Sequence, residues 1–81
     1  MDPIQIALLA LRASTTLFTL QGRPEISEAV NSMIRAWEAG RNIDAYMAEI
    51  ARALESDAGL DDWKTITDKI NREVDDFLSQ D

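Results

Sequence analysis

Apolar positions recur at spacings of three and four along almost the whole chain. No run alternates apolar and polar residues between turn signals, so the pattern predicts helices and no strands. Four helical segments emerge, over residues 3–21, 24–39, 42–56 and 61–79. At the first, Asp2 offers a side-chain cap and Pro3 suits the opening position, where its missing N–H is not needed. Gly22 and Pro24 end that segment. The second carries Ile26, Val30, Met33, Ile34 and Trp37 on one stripe, has Glu25 and Glu28 at its positive end, and stops at Gly40. Asn42 is placed to cap the third, with Ile43, Tyr46, Met47, Ile50 and Leu54 on its apolar side and a break at SDAG, residues 56–59. Asp61 or Asp62 is placed to cap the fourth, which presents Trp63, Ile66, Ile70, Val74, Phe77 and Leu78. Connections of a few residues favour antiparallel neighbours. The expected fold is therefore all-α: a compact bundle of about four short helices, in a single domain over residues 1–81.

Helix 1 is patterned differently from the other three. On a wheel of about 100° per residue, Gln5, Arg12, Thr15, Thr16 and Thr19 form one polar stripe, interrupted only by Leu8. The rest of its circumference is apolar and divides into two seams. Ile4, Leu11 and Phe18, with Ala7 and Ser14, make the first; Ile6, Leu9, Ala13, Leu17 and Leu20 make the second. Two placements follow. Either helix 1 is the central helix covered by the other three, or one seam packs within the chain while the other meets a second copy or another protein. Each remaining helix offers a single stripe, and three stripes that must also cover one another leave little for helix 1. Small residues at Ala7, Ala10, Ala13 and Ser14 allow close approach on either placement.

A membrane span needs about 20 mostly apolar residues. Pro3 and Gly22 enclose fewer, with Arg12 near the middle and Ser14, Thr15, Thr16 and Thr19 after it, so insertion is not expected. A secretion signal is not expected either, because no positive segment precedes the apolar stretch and no small-residue cleavage site follows it.

Composition sharpens the choice. A chain of 81 residues buries only about 60–65% of the surface its unfolded form exposes, which makes its stability marginal. It contains no cysteine and no histidine, so disulfides and thiolate or imidazole metal sites cannot add to it. Self-association is the ordinary remaining route. The net charge is −7, yet Asp2, Glu25, Glu28 and Glu38 balance Arg12, Arg23, Arg35 and Arg41, so the whole excess lies beyond residue 41. That acidity argues against direct nucleic-acid binding and against anionic lipid surfaces, both of which require Lys and Arg.

Candidate chemistry is sparse. The ESDAGLDD stretch borders a turn with Asp57, Asp61 and Asp62, but an EF-hand loop needs Gly at its sixth position and Glu at its twelfth. Counted from Asp57, Asp62 and Asp68 stand there, so capping and solvation are the expected roles. Ser14, Ser27, Ser32, Ser56 and Ser79 have no histidine to activate them, and no glycine-rich phosphate loop occurs. Neither an enzyme nor a cofactor is expected. On helix 4, Lys64–Asp68, Asp68–Arg72 and Lys69–Glu73 stand at ion-pair spacing, while Asp75, Asp76 and Asp81 lack such a neighbour and oppose the helix dipole. Trp37 and Trp63 lie on apolar stripes; Trp63, in a first turn, is the candidate anchor for an interface.

An acidic four-helix chain of this size is similar in outline to acyl carrier proteins. Their Asp-Ser-Leu motif is absent, however, and the corresponding stretch reads RPEISEAV around Ser27, which removes that function. The MDPI start followed by LALRASTTL looks like small helical proteins encoded by tailed phages. The resemblance covers the opening helix alone and gives no residue a role. It implies a virion-assembly or host-modulating protein that works through protein contacts.

The expected function is thus a non-enzymatic protein–protein interaction module that self-associates through helix 1, using Ile6, Leu9, Ala13, Leu17 and Leu20, with Trp63. Its expected location is cytoplasmic, or virion-associated for a phage protein. A second class is an acidic inhibitor that imitates nucleic acid, presenting Asp57, Asp61, Asp62, Asp68, Asp75 and Asp76 to a basic host protein.

Overall fold

The computed structural model describes residues 2–80, apart from the side chains of Ile4, Leu8 and Leu11. Four helices follow one another: α1 Pro3–Leu20, α2 Pro24–Glu38, α3 Asp44–Glu55 and α4 Leu60–Leu78. Their limits lie within two residues of those predicted from the pattern, and no strand occurs among the described residues.

The first three helices end in the same way. The amides of Gly22 and Arg23 donate to Thr19 and Phe18 carbonyls, those of Gly40 and Arg41 to Trp37 and Ala36, and those of Asp57 and Ala58 to Leu54 and Ala53. Each is the paired closure that needs a left-handed residue just past the helix. Gly22 and Gly40 supply it at φ +79° and +94°, but in the third turn Asp57 takes φ +53°, a conformation Asp tolerates better than most side chains. Gly59, which closes the SDAG break, is the extended residue before α4.

Two capping expectations shift accordingly. The Asn42 side chain accepts from the Asp44 amide at 2.9 Å, so it caps α3 from one position further out. Neither Asp61 nor Asp62 caps α4, which begins at Leu60; both lie in its first turn, and no side chain caps Gly59. There they complement the positive end of the helix dipole.

The central helix is α2, which packs against α1, α3 and α4, whereas among the described residues α1 packs chiefly against α2. This settles the first question about helix 1: it is an outer helix. The reason lies in small side chains. Besides its stripe of Ile26, Val30, Met33 and Ile34, α2 buries Ser27, Ala29, Ser32 and Ala36. Those four widen its covered surface well beyond one stripe and give three neighbours room to approach. The core is completed by Ile43, Tyr46, Ile50 and Ala53 around α3 and by Trp63, Ile70 and Val74 of α4, with Phe18 and Trp37 packed at its edge.

Charged side chains tie the helices together across their contacts. Arg35 of α2 bonds Asp75 of α4 at 2.7 Å, and Lys69 of α4 pairs with Glu49 of α3. Arg41, in the turn after α2, lies 5.8 Å from the Tyr46 ring centre and 5.5 Å from that of Phe77. Glu73 closes this cluster, accepting from the Tyr46 hydroxyl at 3.2 Å. Among the described residues, none of the three helix 4 pairs expected at spacing four is an ion pair. Lys69 reaches Glu49 of α3 rather than Glu73, and Asp75, which has no cation at that spacing on α4, pairs with Arg35 of α2. Asp81 lies outside the described residues.

Candidate interaction surface

The seams of α1 separate cleanly. Of the first, the described members Ala7, Ser14 and Phe18 are half-buried, and Phe18 reaches the core; Ile4 and Leu11 lie outside the described side chains. The second seam faces away: Ile6 is 53% exposed, Leu9 53%, Leu17 54% and Leu20 79%, and Ala13 between them is exposed too. From Ile6 to Leu20 the seam runs about 21 Å along the helix. Isolated exposed leucines are ordinary, but a continuous apolar row is the kind of surface that marks a contact site.

Polar contacts fix which way α1 is turned. The Ser27 hydroxyl, buried on α2, donates to the Thr15 carbonyl at 2.6 Å and stands 3.0 Å from Thr19 Oγ1. Arg12 pairs with Glu38 at the far end of α2. The polar stripe is therefore partly a seam between α1 and α2. Rolling the helix to bury Leu9 and Leu17 would break all these bonds and strand the Ser27 hydroxyl, at about 1–3 kcal/mol for an unsatisfied buried group. The same burial excludes Ser27 as a carrier of any attached group.

Trp63 must be removed from the candidate surface. It is 0% exposed, packed into the core that α2, α3 and α4 share. Trp63 also lines the inner wall of a cleft with Phe18, Gln21, Arg23, Ile26, Ala53, Leu54 and Asp57, of about 190 Å³. Ligand sites usually measure about 300–1,000 Å³, so this cleft is too small to suggest one.

All six acidic candidates are exposed. Asp57 lies 3.6 Å from Arg23 and Asp75 pairs with Arg35. Asp61, Asp68 and Asp75 share the outer face of α4 with Arg72, seven residues apart, which is about 10 Å per step. Phosphates follow one another every 3.4 Å or so along each strand of a duplex. Among the described residues, no group of acids is arranged to hold a metal ion.

Electrostatics elsewhere is local. The hydrogen bond from Arg23, at 2.8 Å, holds the Glu25 carboxyl below the usual glutamate range, helped by a backbone bond. The bond to Glu49 holds Lys69 above the usual lysine range. Burial raises the Tyr46 hydroxyl, partly offset by Arg41.

Among the described residues, no helix is long and apolar enough to cross a membrane. Comparison of the chain with protein-family models, with curated proteins and with solved structures finds no match.

Proposed function

We propose that this protein is a non-enzymatic interaction module that works by protein contact, and that the contact is made by the outward seam of α1 with a second copy of the chain. The observation that carries the reading is the continuous exposed row of Ile6, Leu9, Ala13, Leu17 and Leu20 on a helix held from one side only. Two further features support it. A bundle of 81 residues gains most from extra burial. The first 41 residues are also neutral overall, so two copies approaching through α1 meet without the repulsion their acidic halves would create. Following the resemblance of the opening helix to small helical phage proteins, we place such contacts in virion assembly or host modulation.

The acidic inhibitor is the weaker reading, because Asp57 and Asp75 face arginines of their own chain and Lys64, Lys69 and Arg72 are interleaved among the rest. Gel filtration coupled to light scattering separates the two. Self-association through α1 predicts a mass above the monomer's 9.1 kDa at high micromolar concentration, little changed between low and high salt. Leu17→Glu should return the protein to a monomer and leave its helical signal and unfolding midpoint nearly unchanged. A strictly monomeric wild-type protein overturns the reading.

A further inference from the structure

The exposed seam is symmetric about its middle. Leu9 and Leu17 lie four residues to either side of Ala13, and Ile6 and Leu20 lie seven to either side. Steps of three and four are those of a helix-pairing seam, and here they read the same in both directions. An antiparallel pair about a two-fold axis requires that symmetry, because only then does each large side chain find a large one opposite it.

Resting on the self-association proposed above, we infer that two copies pair through α1 antiparallel, with the two-fold axis at Ala13. Ile6 of each copy then lies against Leu20 of the other, Leu9 against Leu17, and the two Ala13 methyls meet at the axis. The small side chain at the centre lets the helix axes come to the short end of the usual 8–10 Å range. The helix dipoles separate this arrangement from a parallel one, because an antiparallel pair brings opposite helix ends together. Arg12, which borders the seam near the axis, is already matched by Glu38 within its own copy, so the two copies present neutral pairs there.

Ile6, Leu9, Leu17 and Leu20 are exposed, so the seam is turned away from the contact that α1 makes with α2. A contact made by one helix from each copy falls below the roughly 1,200 Å² of a standard stable interface. The pair should therefore exchange readily and populate at micromolar concentrations and above.

Single-cysteine crosslinking tests the orientation cleanly, since the chain has no cysteine of its own. The variants are Ala13→Cys, Leu9→Cys and Leu17→Cys, each on an exposed position and each checked for an unchanged helical spectrum. A disulfide needs Cα atoms within about 7 Å. Antiparallel pairing satisfies this for Ala13→Cys with itself and for Leu9→Cys mixed with Leu17→Cys. It separates two Leu9→Cys copies by about 12 Å along the axis. Under mild oxidation, Ala13→Cys should link nearly completely, and the mixture should yield the mixed dimer at least tenfold over either variant alone. A dimeric mass with Leu9→Cys linking to itself as readily as Ala13→Cys overturns the orientation and leaves the self-association standing. A dimeric mass with no crosslink at any of these positions moves the interface off the seam and overturns the inference. A monomeric mass overturns both.

Discussion

Helices α1 and α4 are nearly equal in length and opposite in composition, and their burial runs against their composition. α4 carries nine charged residues among its nineteen, yet Trp63, Ile70 and Val74 are each 0% exposed. α1 carries one charged residue, Arg12, among eighteen, yet none of its described side chains is fully buried. A narrow apolar stripe on a charged helix leaves one way to pack, because any other rotation would bury charge. An apolar surface spread around most of a helix leaves several, and the neighbours choose among them.

The most forceful way to break this comparison is to truncate one large side chain on each helix. Trp63→Ala should cost about 3–5 kcal/mol, a large share of the roughly 4–12 kcal/mol expected for a domain of this size. Leu17→Ala should stay within about 0.5 kcal/mol when measured at concentrations that keep the protein monomeric. Urea unfolding followed by tryptophan fluorescence and helical signal measures both. Comparable losses would mean that Leu17 is covered within the monomer.

Phe18 is the one large described side chain of α1 that reaches the core. Half-buried, it should cost about 2 kcal/mol on truncation to Ala, below the range for a fully buried ring. The loss should appear first as faster amide exchange in α1, with α2 and α4 still protected, because α1 is held chiefly by α2 and opens as a local unit. Uniform loss of protection across all four helices would show that α1 is as integral as α4.

Ser27→Ala probes the polar part of the same contact. It removes the bond to the Thr15 carbonyl and the contact with Thr19, and should cost about 1 kcal/mol. An unchanged midpoint would mean that these bonds do not set the rotation of α1.

The smallest effects are in pH. Glu25 is depressed in the folded state by Arg23, so its contribution is complete above the ordinary glutamate range and disappears as pH falls through the depressed value. Lys69 is raised by Glu49, so its contribution is complete below the ordinary lysine range and disappears as pH rises through the raised value. Glu25→Gln should therefore flatten only the acid limb of a stability profile, and Lys69→Gln only the alkaline limb. Each pair is open to solvent on its cationic side, so the changes should be small and shrink with added salt.

Much of the architecture was legible in residue order. Gly22 and Gly40 mark two helix ends because left-handed backbone suits glycine, and the stripes of α2, α3 and α4 name most of the core. The third helix end was harder to read, since Asp57 adopts the left-handed conformation beside a glycine that does not. The ion pairs of α4 were misassigned for a related reason: spacing along a helix reports which charges are neighbours on that helix, and not that Glu49 or Arg35 lies closer across a contact. Trp63 was taken for a surface anchor because a first turn is often half covered, and its burial depends on the neighbouring helices that share the core.

The sequence by itself determined four helices, their limits to within two residues, the absence of disulfide and imidazole chemistry, the acidic second half and the existence of two apolar seams on α1. Only the tertiary structure decided which seam is inside. Both seams are apolar, so burying either gains about the same hydrophobic free energy, roughly 25 cal/mol per Å². What separates the two rotations is the set of groups that must meet α2. Ser27 requires Thr15 and Thr19, and Glu38 takes Arg12. These pairings join residues 8 to 26 positions apart, and they turn Ile6, Leu9, Ala13, Leu17 and Leu20 outward.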